Sequence, residues 1–480
     1  YSSDSQTGKK DRTLFLGTNS GYLHAFDVGE NSPKEFFSFI PKELIKNLDK
    51  YYSGGSFYEN KTYGIDGPLT HWHNDTNDNG QVDGNEQVYL YVTLRRGGQS
   101  FYALNVTDRN KPELLWAKHG RYPSGLPNIP NISGGYDKLG QTWARLEPAT
   151  VLWQGKQRSV LFTAGGYDPI EDGTTSNGPN SRTKHTIGTT VYMIDALTGQ
   201  VLWDASTHSP SSQMTSSFAA NVSPVDTKGD GFANIIFAPD TGGRIWRFDI
   251  NSQHSTSDLA SSFATSTVVA DINSGSGAGN RRFFNEIDVV FREKQNDILL
   301  SVGSGYRAHP LSLTVTDYHF AIRTSVDKPT SNKVITINDL AEWGDDSGYG
   351  WKVPLTYPGE KVLSRSSTTS GAIFFTTFAP KSSNAIDLCS ADPGIASLYI
   401  MHNKSLRKIR LTQGGIPAMP VVVRKKPSLD EPVEGEPQVQ SRSILIGTEV
   451  INLMKDPNGT DEDIGDEFDH ITKDYWLENN

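Results

Sequence analysis

The chain has 480 residues and a formal net charge of -10, from 45 Lys and Arg against 55 Asp and Glu. This acidic balance argues against a nucleic-acid-binding protein, which would present a basic surface. The single cysteine, Cys389, excludes an internal disulfide, a CxxC redox pair and a cysteine zinc cluster. Apolar runs long enough to span a bilayer do not occur, which predicts no membrane span. Because the chain begins at Tyr1 rather than Met, we expect a fragment of a longer protein or a processed product.

Short strands joined by tight turns recur along the chain. Residues 13–27 predict a strand, a glycine turn and a second strand, because alternating apolar residues are bounded by Gly, Asn or Asp. Residues 41–48 then predict a short helix with Pro at its first position. The strand pattern returns at residues 99–108, 190–203 and 240–249, and more weakly at 317–323 and 396–402. These repeats organise most of the chain.

Repeated hairpins of this kind predict the blades of a β-propeller, because a lone blade cannot bury both of its sheet faces. We therefore expect an all-β fold of about seven irregular blades, with long inter-blade loops and few short helices. Residues 1–423 are predicted to form the propeller, with a calcium-loop insertion near residues 71–86. Residues 424–480 begin rich in Pro and charge, and predict an excursion and a C-terminal segment that returns to the propeller.

Residues 75–86 match the calcium-loop pattern D-x-[DN]-x-[DN]-G-x5-E at every fixed position. Calcium takes six to eight hard oxygen ligands, and short oxygen side chains at alternating positions converge as such a loop curls around Gly80. The spacing predicts a Ca2+ site with side-chain ligands and one backbone carbonyl, from Gln81; the six residues are Asp75, Asn77, Asn79, Gln81, Asp83 and Glu86. A polar turn without metal is the alternative.

The residues flanking this loop are not helical. His71 and His73 precede it, and residues 87–93 predict a strand, so the loop belongs to a β-fold and not to a helix–loop–helix sensor. Zinc at the two histidines lacks a third ligand. A second loop at residues 226–234 begins with the same pattern, but Lys228 stands where the second oxygen ligand belongs. Its ammonium group could pair with the neighbouring carboxylates in place of a metal.

Several strings, taken in order, resemble the C-terminal half of the PilC/PilY family of type IV pilus biogenesis and tip-adhesin proteins. They lie at residues 14–27, 37–44, 96–108, 115–116 and 223–249, and the resemblance covers roughly residues 10–420. It implies a modified, quinoprotein-like β-propeller, export from the cell and no catalytic activity. It also implies calcium in the loop that matches residues 226–234. Lys228 and Asn234 depart from the family pattern there, so we expect the intact loop at residues 75–86 to have taken over the metal.

The resemblance implies a function for this chain as the calcium-binding, noncatalytic C-terminal domain of a type IV pilus tip and biogenesis protein. In that role it would regulate pilus extension against retraction, and support adhesion and twitching motility. The implied partners are minor pilins or the pilus assembly machinery, with host-cell surface molecules as further candidates. The implied location is the pilus tip, the cell surface, or the outer membrane and periplasm of a bacterium.

Two alternatives remain open. One is a propeller scaffold for envelope assembly, in which calcium is only structural. The other is a pyrroloquinoline-quinone dehydrogenase, since such enzymes share blade strings of the form found at residues 195–203. The vicinal disulfide that these enzymes often carry is impossible with one cysteine.

Overall fold

The computed structural model describes residues 12–28, 33–53, 61–77, 79–121, 132–208, 213–329, 333–344, 348–369, 371–381, 393–402, 405–424 and 442–453. The described residues form two compact units. Unit one draws on residues 1–173 and 182–270, and unit two on residues 174–181 and 271–478.

Unit one contains four antiparallel sheets whose strands follow one another in chain order. The first sheet is made of β1 (Thr13–Gly17), β2 (Leu23–Asp27) and β3 (Lys34–Phe39). The second contains β4 (Leu69–His73), β5 (Val88–Thr93), β6 (Ser100–Asn105) and β7 (Glu113–His119). The third contains β8 (Glu147–Trp153), β9 (Lys156–Ala164), β10 (Val191–Asp195) and β11 (Val201–Asp204). The fourth contains β12 (Ser223–Val225), β13 (Ile235–Pro239), β14 (Arg244–Ile250) and β15 (Ala264–Asp271).

Unit two contains three further sheets. The fifth is made of β16 (Asp288–Arg292), β17 (Asp297–Gly303), β18 (Tyr318–Ser325), β19 (Ala341–Glu342) and β20 (Gly350–Pro354), with β19 and β20 parallel. The sixth contains β21 (Lys361–Val362), β22 (Ser367–Thr369), β23 (Ala372–Ala379), β24 (Ile395–His402) and β25 (Ser405–Arg410). The seventh contains β26 (Val421–Arg424), β27 (Arg442–Ile446) and β28 (Glu449–Leu453).

Helices are short. The helix predicted at residues 41–48 is a 3-10 turn at Lys42–Asn47, which follows Pro41 and continues into α1 (Leu48–Ser53). In the part of the chain that the structure describes, the other α-helix is α2 (Ala205–His208). Further 3-10 turns lie at Arg95–Gly97, Pro169–Asp172, Ala260–Ser262, Gly277–Gly279 and Ile337–Asp339.

Both faces of the central sheets are buried, which explains the apolar runs of their strands. Side chains alternate across a strand, so in β5 Tyr89 and Tyr91 face the third sheet while Leu90 and Val92 pack towards the first. In unit two, Phe375 of β23 packs with residues of the fifth sheet, whereas Ala372 and Phe374 of the same strand pack with residues of the seventh. Each buried aromatic or aliphatic side chain contributes roughly 1.5–3 kcal/mol by leaving water.

The predicted strand repeats are confirmed. The string at residues 13–27 forms the β1–β2 hairpin, and the later strings contain β6, the β10–β11 pair, β14, β18 and β24. Strand β26 ends at the predicted boundary near residue 423 and pairs with β27, which lies beyond it. The division into residues 1–423 and 424–480 stays a prediction. Residues 425–441, residues 454–480 and Cys389 lie outside the described residues.

Candidate metal-binding loop

The predicted calcium loop connects β4 to β5 in the second sheet. The hairpin register places His73 opposite Val88, and the Asn74 N–H donates to the carbonyl of Gln87 at 2.9 Å. This last pair closes the base of the loop, so residues 75–86 project from the end of a regular hairpin. All of them except Asp78 belong to the described residues.

The first half of the loop curls around the Asp75 carboxylate. Asp75 Oδ1 accepts the N–H of Asn79 at 3.2 Å, and its Oδ2 accepts the N–H of Gly80 at 2.7 Å. Asn79 Oδ1 in turn accepts the N–H of Gln81 at 2.7 Å. Gly80 has φ of 70°, a conformation that costs glycine little. The backbone therefore makes the sharp turn that the motif requires at this position.

Glu86 closes the loop from its other end. Its Oε1 accepts the N–H of Thr76 at 2.8 Å and the Thr76 hydroxyl at 2.9 Å, while Oε2 accepts the N–H of Asp83 at 3.2 Å. The Thr76 N–H is the largest cause that lowers the pKa of Glu86 to about 2. Only 2% of this side chain is exposed. The loop thus holds a buried carboxylate that is ionised at neutral pH.

Asp83 lies between these two halves. The side-chain amide of Asn77 donates to Asp83 Oδ1 at 3.1 Å, and that of Asn79 donates to Oδ2 at 2.9 Å. Five of the six predicted ligand side chains are thereby linked through one hydrogen-bond network. Gln81 joins it by its N–H, and the ligand role predicted for its carbonyl oxygen stays a prediction.

His73 also borders this cluster, which the sequence pattern did not indicate. Its Nε2 lies 3.4 Å from Glu86 Oε2, and its Nδ1 lies 3.9 Å from Asp75 Oδ2. Nε2 is buried and has no hydrogen-bond partner in the structure as described. The neighbouring Trp72 stacks on Tyr89 at 5.6 Å between ring centroids, which fixes this end of the strand. The only sequence signal was a histidine two residues before the motif.

The donor set fits a hard divalent cation. Carboxylate and amide oxygens are the ligands that calcium prefers, and residues 75–86 supply both. Among the described residues, no three His, Cys, Asp or Glu side chains form a group arranged to hold a metal ion. Calcium in this loop, which would also need the amide and carbonyl oxygens, stays a prediction.

The second loop, residues 226–234, connects β12 to β13 in the fourth sheet. Asp226 accepts the N–H groups of Lys228 at 2.9 Å, Gly229 at 2.8 Å and Gly231 at 2.7 Å. Lys228 is exposed, and within the described structure its ammonium group forms no ion pair with Asp226 or Asp230. The internal ion pair that the sequence suggested is therefore not formed.

The sequence profile of the PilY1 beta-propeller domain matches residues 1–291, which is more than half of the chain. The chain belongs to the PilY1 family. A protein of Xylella fastidiosa (strain Temecula1) named "Type IV pilus biogenesis factor PilY1 homolog" is 28% identical over 246 residues, covering 51% of this chain. The "Type IV pilus biogenesis factor PilY1" of Pseudomonas aeruginosa (strain PAK) is 27% identical over 244 residues, covering 49% of this chain. The matched regions span only 16% and 17% of these relatives' lengths.

A solved structure shows the same fold. The crystal structure of the Pseudomonas aeruginosa PilY1 C-terminal domain superimposes with a TM-score of 0.61 at 15% identity, covering 93% of this chain and 94% of that one. Together with the PilY1 family match, this confirms the predicted all-β propeller and agrees with the seven sheets found among the described residues. None of the helices described here combines the length and apolarity that a bilayer crossing requires.

Proposed function

We propose that this PilY1-family chain is the calcium-binding, noncatalytic C-terminal propeller of a type IV pilus biogenesis factor. The observation that carries the calcium assignment is the hydrogen-bond network that links Asp75, Asn77, Asn79, Asp83 and Glu86 at the end of one hairpin. The family membership supports the pilus role, because curated PilY1 relatives carry that function in their names. The protein's exported location at the pilus tip or envelope is part of the same proposal.

The carboxylates of Asp75, Asp83 and Glu86 would hold the ion together with the amide oxygens of Asn77 and Asn79 and the carbonyl of Gln81. When bound, calcium supplies the positive charge that offsets the mutual repulsion of these carboxylates. Two like charges about 5 Å apart repel by roughly 3 kcal/mol at an effective dielectric constant of 20. Within the chain, the side-chain amides of Asn77 and Asn79 donate to Asp83, and the backbone N–H groups of Thr76 and Asp83 donate to Glu86.

This charge arrangement makes the order of the loop depend on calcium. A partner that contacts the ordered loop would bind more tightly when calcium is present, and by linkage would raise the calcium affinity in return. Minor pilins or the pilus assembly machinery are the proposed partners, with host-cell surface molecules as further candidates. Through these partners the loop would regulate whether pili extend or retract. It would thereby support adhesion and twitching motility.

Calcium binding is tested by thermal unfolding of the whole chain during a Ca2+ titration. At 100 times the dissociation constant, we expect stabilisation by about 2.7 kcal/mol, seen as a rise of a few degrees in the apparent Tm. Asp75→Ala should abolish the rise. Asn85→Ala is the matched control, since Asn85 is an exposed loop residue outside the ligand positions, and it should retain the rise. An unchanged Tm in the native chain, with no calcium retained after dialysis, would refute the assignment.

The regulatory role is tested separately from a purely structural one. Cells that carry Asp75→Ala in the full-length protein should assemble the variant at normal abundance but lose calcium-dependent twitching motility. If motility stays calcium-dependent, calcium regulation does not act through this loop. If pili fail to assemble although the variant is folded, the chain is an assembly scaffold in which calcium is structural.

A further inference from the structure

The loops at residues 75–86 and 226–234 occupy equivalent places in the fold. Each connects the first and second strands of a four-stranded sheet, β4 to β5 in one case and β12 to β13 in the other. Each is closed at its base by one backbone hydrogen bond, from Asn74 to Gln87 at 2.9 Å and from Asn234 to Val225 at 2.9 Å. The two loops can therefore be compared position by position from their first aspartates.

The first halves of the two loops share two hydrogen bonds. Oδ2 of the first aspartate accepts the N–H of the sixth residue, a glycine, at 2.7 Å in both loops. These glycines, Gly80 and Gly231, have φ of 70° and 85°. The side chain at the fifth position, Asn79 or Asp230, accepts the N–H of the seventh residue at 2.7 and 3.0 Å respectively. The turns thus agree at the fifth to seventh positions, but Oδ1 of the first aspartate accepts the N–H of Asn79 in the first loop and those of Lys228 and Gly229 in the second.

The loops also close in the same way, but with different groups. In the first loop, the Thr76 N–H donates to the Glu86 carboxylate at 2.8 Å. In the second, the Thr227 N–H donates to Asn234 Oδ1 at 2.9 Å, and Asn234 Nδ2 donates to the Thr227 hydroxyl at 2.7 Å. The closing group is a carboxylate in the first loop, which only accepts hydrogen bonds, and the neutral Asn234 amide in the second, which both accepts and donates.

The charges of the two loops differ accordingly. The described part of the first loop contains three carboxylates, Asp75, Asp83 and Glu86, and no cationic side chain of its own. The second loop has two carboxylates, and the Lys228 cation stands at its third position, where the first loop has Asn77. Calcium affinity depends on the number and charge of the oxygen ligands. The second loop therefore has fewer anionic ligands, no side-chain oxygen at position three and a closure that needs no cation.

We propose that residues 226–234 form a counterpart of the calcium loop that does not bind metal. The hydrogen bonds of Asn234 close this loop, and Lys228 excludes calcium from it. The protein then binds one calcium ion, at residues 75–86, and calcium stabilises only the loop of the second sheet. This inference rests on the proposed calcium site for its stoichiometry. The self-closure of the second loop does not depend on that site.

The test is the number of calcium ions per chain, measured by elemental analysis after dialysis against CaCl2. We expect one ion in the native chain, none in Asp75→Ala and one in Asp226→Ala. Asp226→Ala should lower the Tm by the same amount in Ca2+ and in EGTA, because the hydrogen bonds that it removes do not involve metal. Two ions in the native chain, or an ion lost with Asp226→Ala and kept with Asp75→Ala, would overturn the proposal.

A gain of binding provides the complementary test. Lys228→Asp combined with Asn234→Asp should raise the count by one ion per chain, and Lys228→Asn serves as the milder variant if the double change does not fold. A count that stays unchanged in a folded variant overturns the claim that these two residues exclude the metal. If the native chain binds no ion but the double variant binds one, the calcium assignment at residues 75–86 fails while this inference stands.

Discussion

His319 should make the stability of unit two depend on pH. The side chain is fully buried in β18, its ring stacks on Phe375 at 4.0 Å between centroids, and its Nε2 lies 3.0 Å from the Ser366 hydroxyl and 3.2 Å from that of Ser301. Burial lowers the pKa of His319 from 6.5 to about 3, because no carboxylate compensates the desolvated imidazolium. Asp288 lies opposite Ser301 across the strand pair, and burial raises its own pKa.

The sign and size of the effect follow from this shift. The folded state binds fewer protons than the unfolded state between pH 3 and 6.5, so the contribution of His319 is fully present above pH 6.5 and is lost as the pH falls. The full difference is on the order of 5 kcal/mol, and at pH 5 the loss is about 2 kcal/mol. That loss is a large fraction of the 5–15 kcal/mol that is typical of folded domains.

The measurement is urea unfolding of the native chain and of His319→Asn between pH 5 and 7.5, in buffers from which Ca2+ has been removed beforehand so that the calcium loop does not contribute. We expect the native chain to lose about 2 kcal/mol more than the variant over this range. Phe375→Leu disturbs the same packing without removing a titrating group, so it should retain the native pH dependence. If the native and His319→Asn curves run parallel, the buried neutral histidine does not control acid stability.

Two further substitutions test the packing. Gly97→Ala would place a Cβ 1.8 Å from the carbonyl oxygen of Gly64, so we expect the free energy of urea unfolding to fall by at least about 2 kcal/mol. The control is Gly134→Ala, whose Cβ would have no atom within 4 Å, and its loss should stay below about 0.5 kcal/mol. Equal losses in the two variants would contradict the close contact at Gly97. The ammonium group of buried Lys361 donates to three backbone carbonyls. Lys361→Met should lower the free energy of unfolding by about 2–4 kcal/mol, because these carbonyls lose their donor. A change below about 1 kcal/mol would show that water replaces the ammonium group.

The sequence predicted local features well because these depend on neighbouring residues. Alternation of apolar and polar residues predicted the β1–β2 hairpin, since side chains in a strand point to opposite faces. The motif spacing likewise predicted a sharp turn at Gly80, which has φ of 70°, while the calcium ligands of residues 75–86 stay a prediction. The helix at residues 41–48 was predicted less well: it begins as a 3-10 turn and extends as α1 to Ser53. In α1, the Tyr51 hydroxyl donates to the Tyr63 carbonyl at 2.8 Å, a contact that the sequence around Pro41 does not specify.

Contacts between distant residues were decided by the tertiary structure. The approach of His73 to Glu86 follows from the β4–β5 register, which cross-strand packing of pairs such as Trp72 and Tyr89 sets. The role of Asn234 could not be predicted either, because it closes its loop three positions earlier than Glu86 does.

Periodicity and spacing along the chain thus predicted that this protein consists of repeated hairpins, which the structure confirms, and that one of them carries a calcium loop, which stays a prediction. Only the tertiary structure decided which sheet faces meet and which polar groups are left without partners. The physical reason is that a strand's pattern records that both of its faces are buried, but not which residues bury them. Trp116, for example, donates its indole N–H to the Ala196 carbonyl in the next sheet at 3.1 Å, and nothing near Trp116 in the sequence specifies that partner.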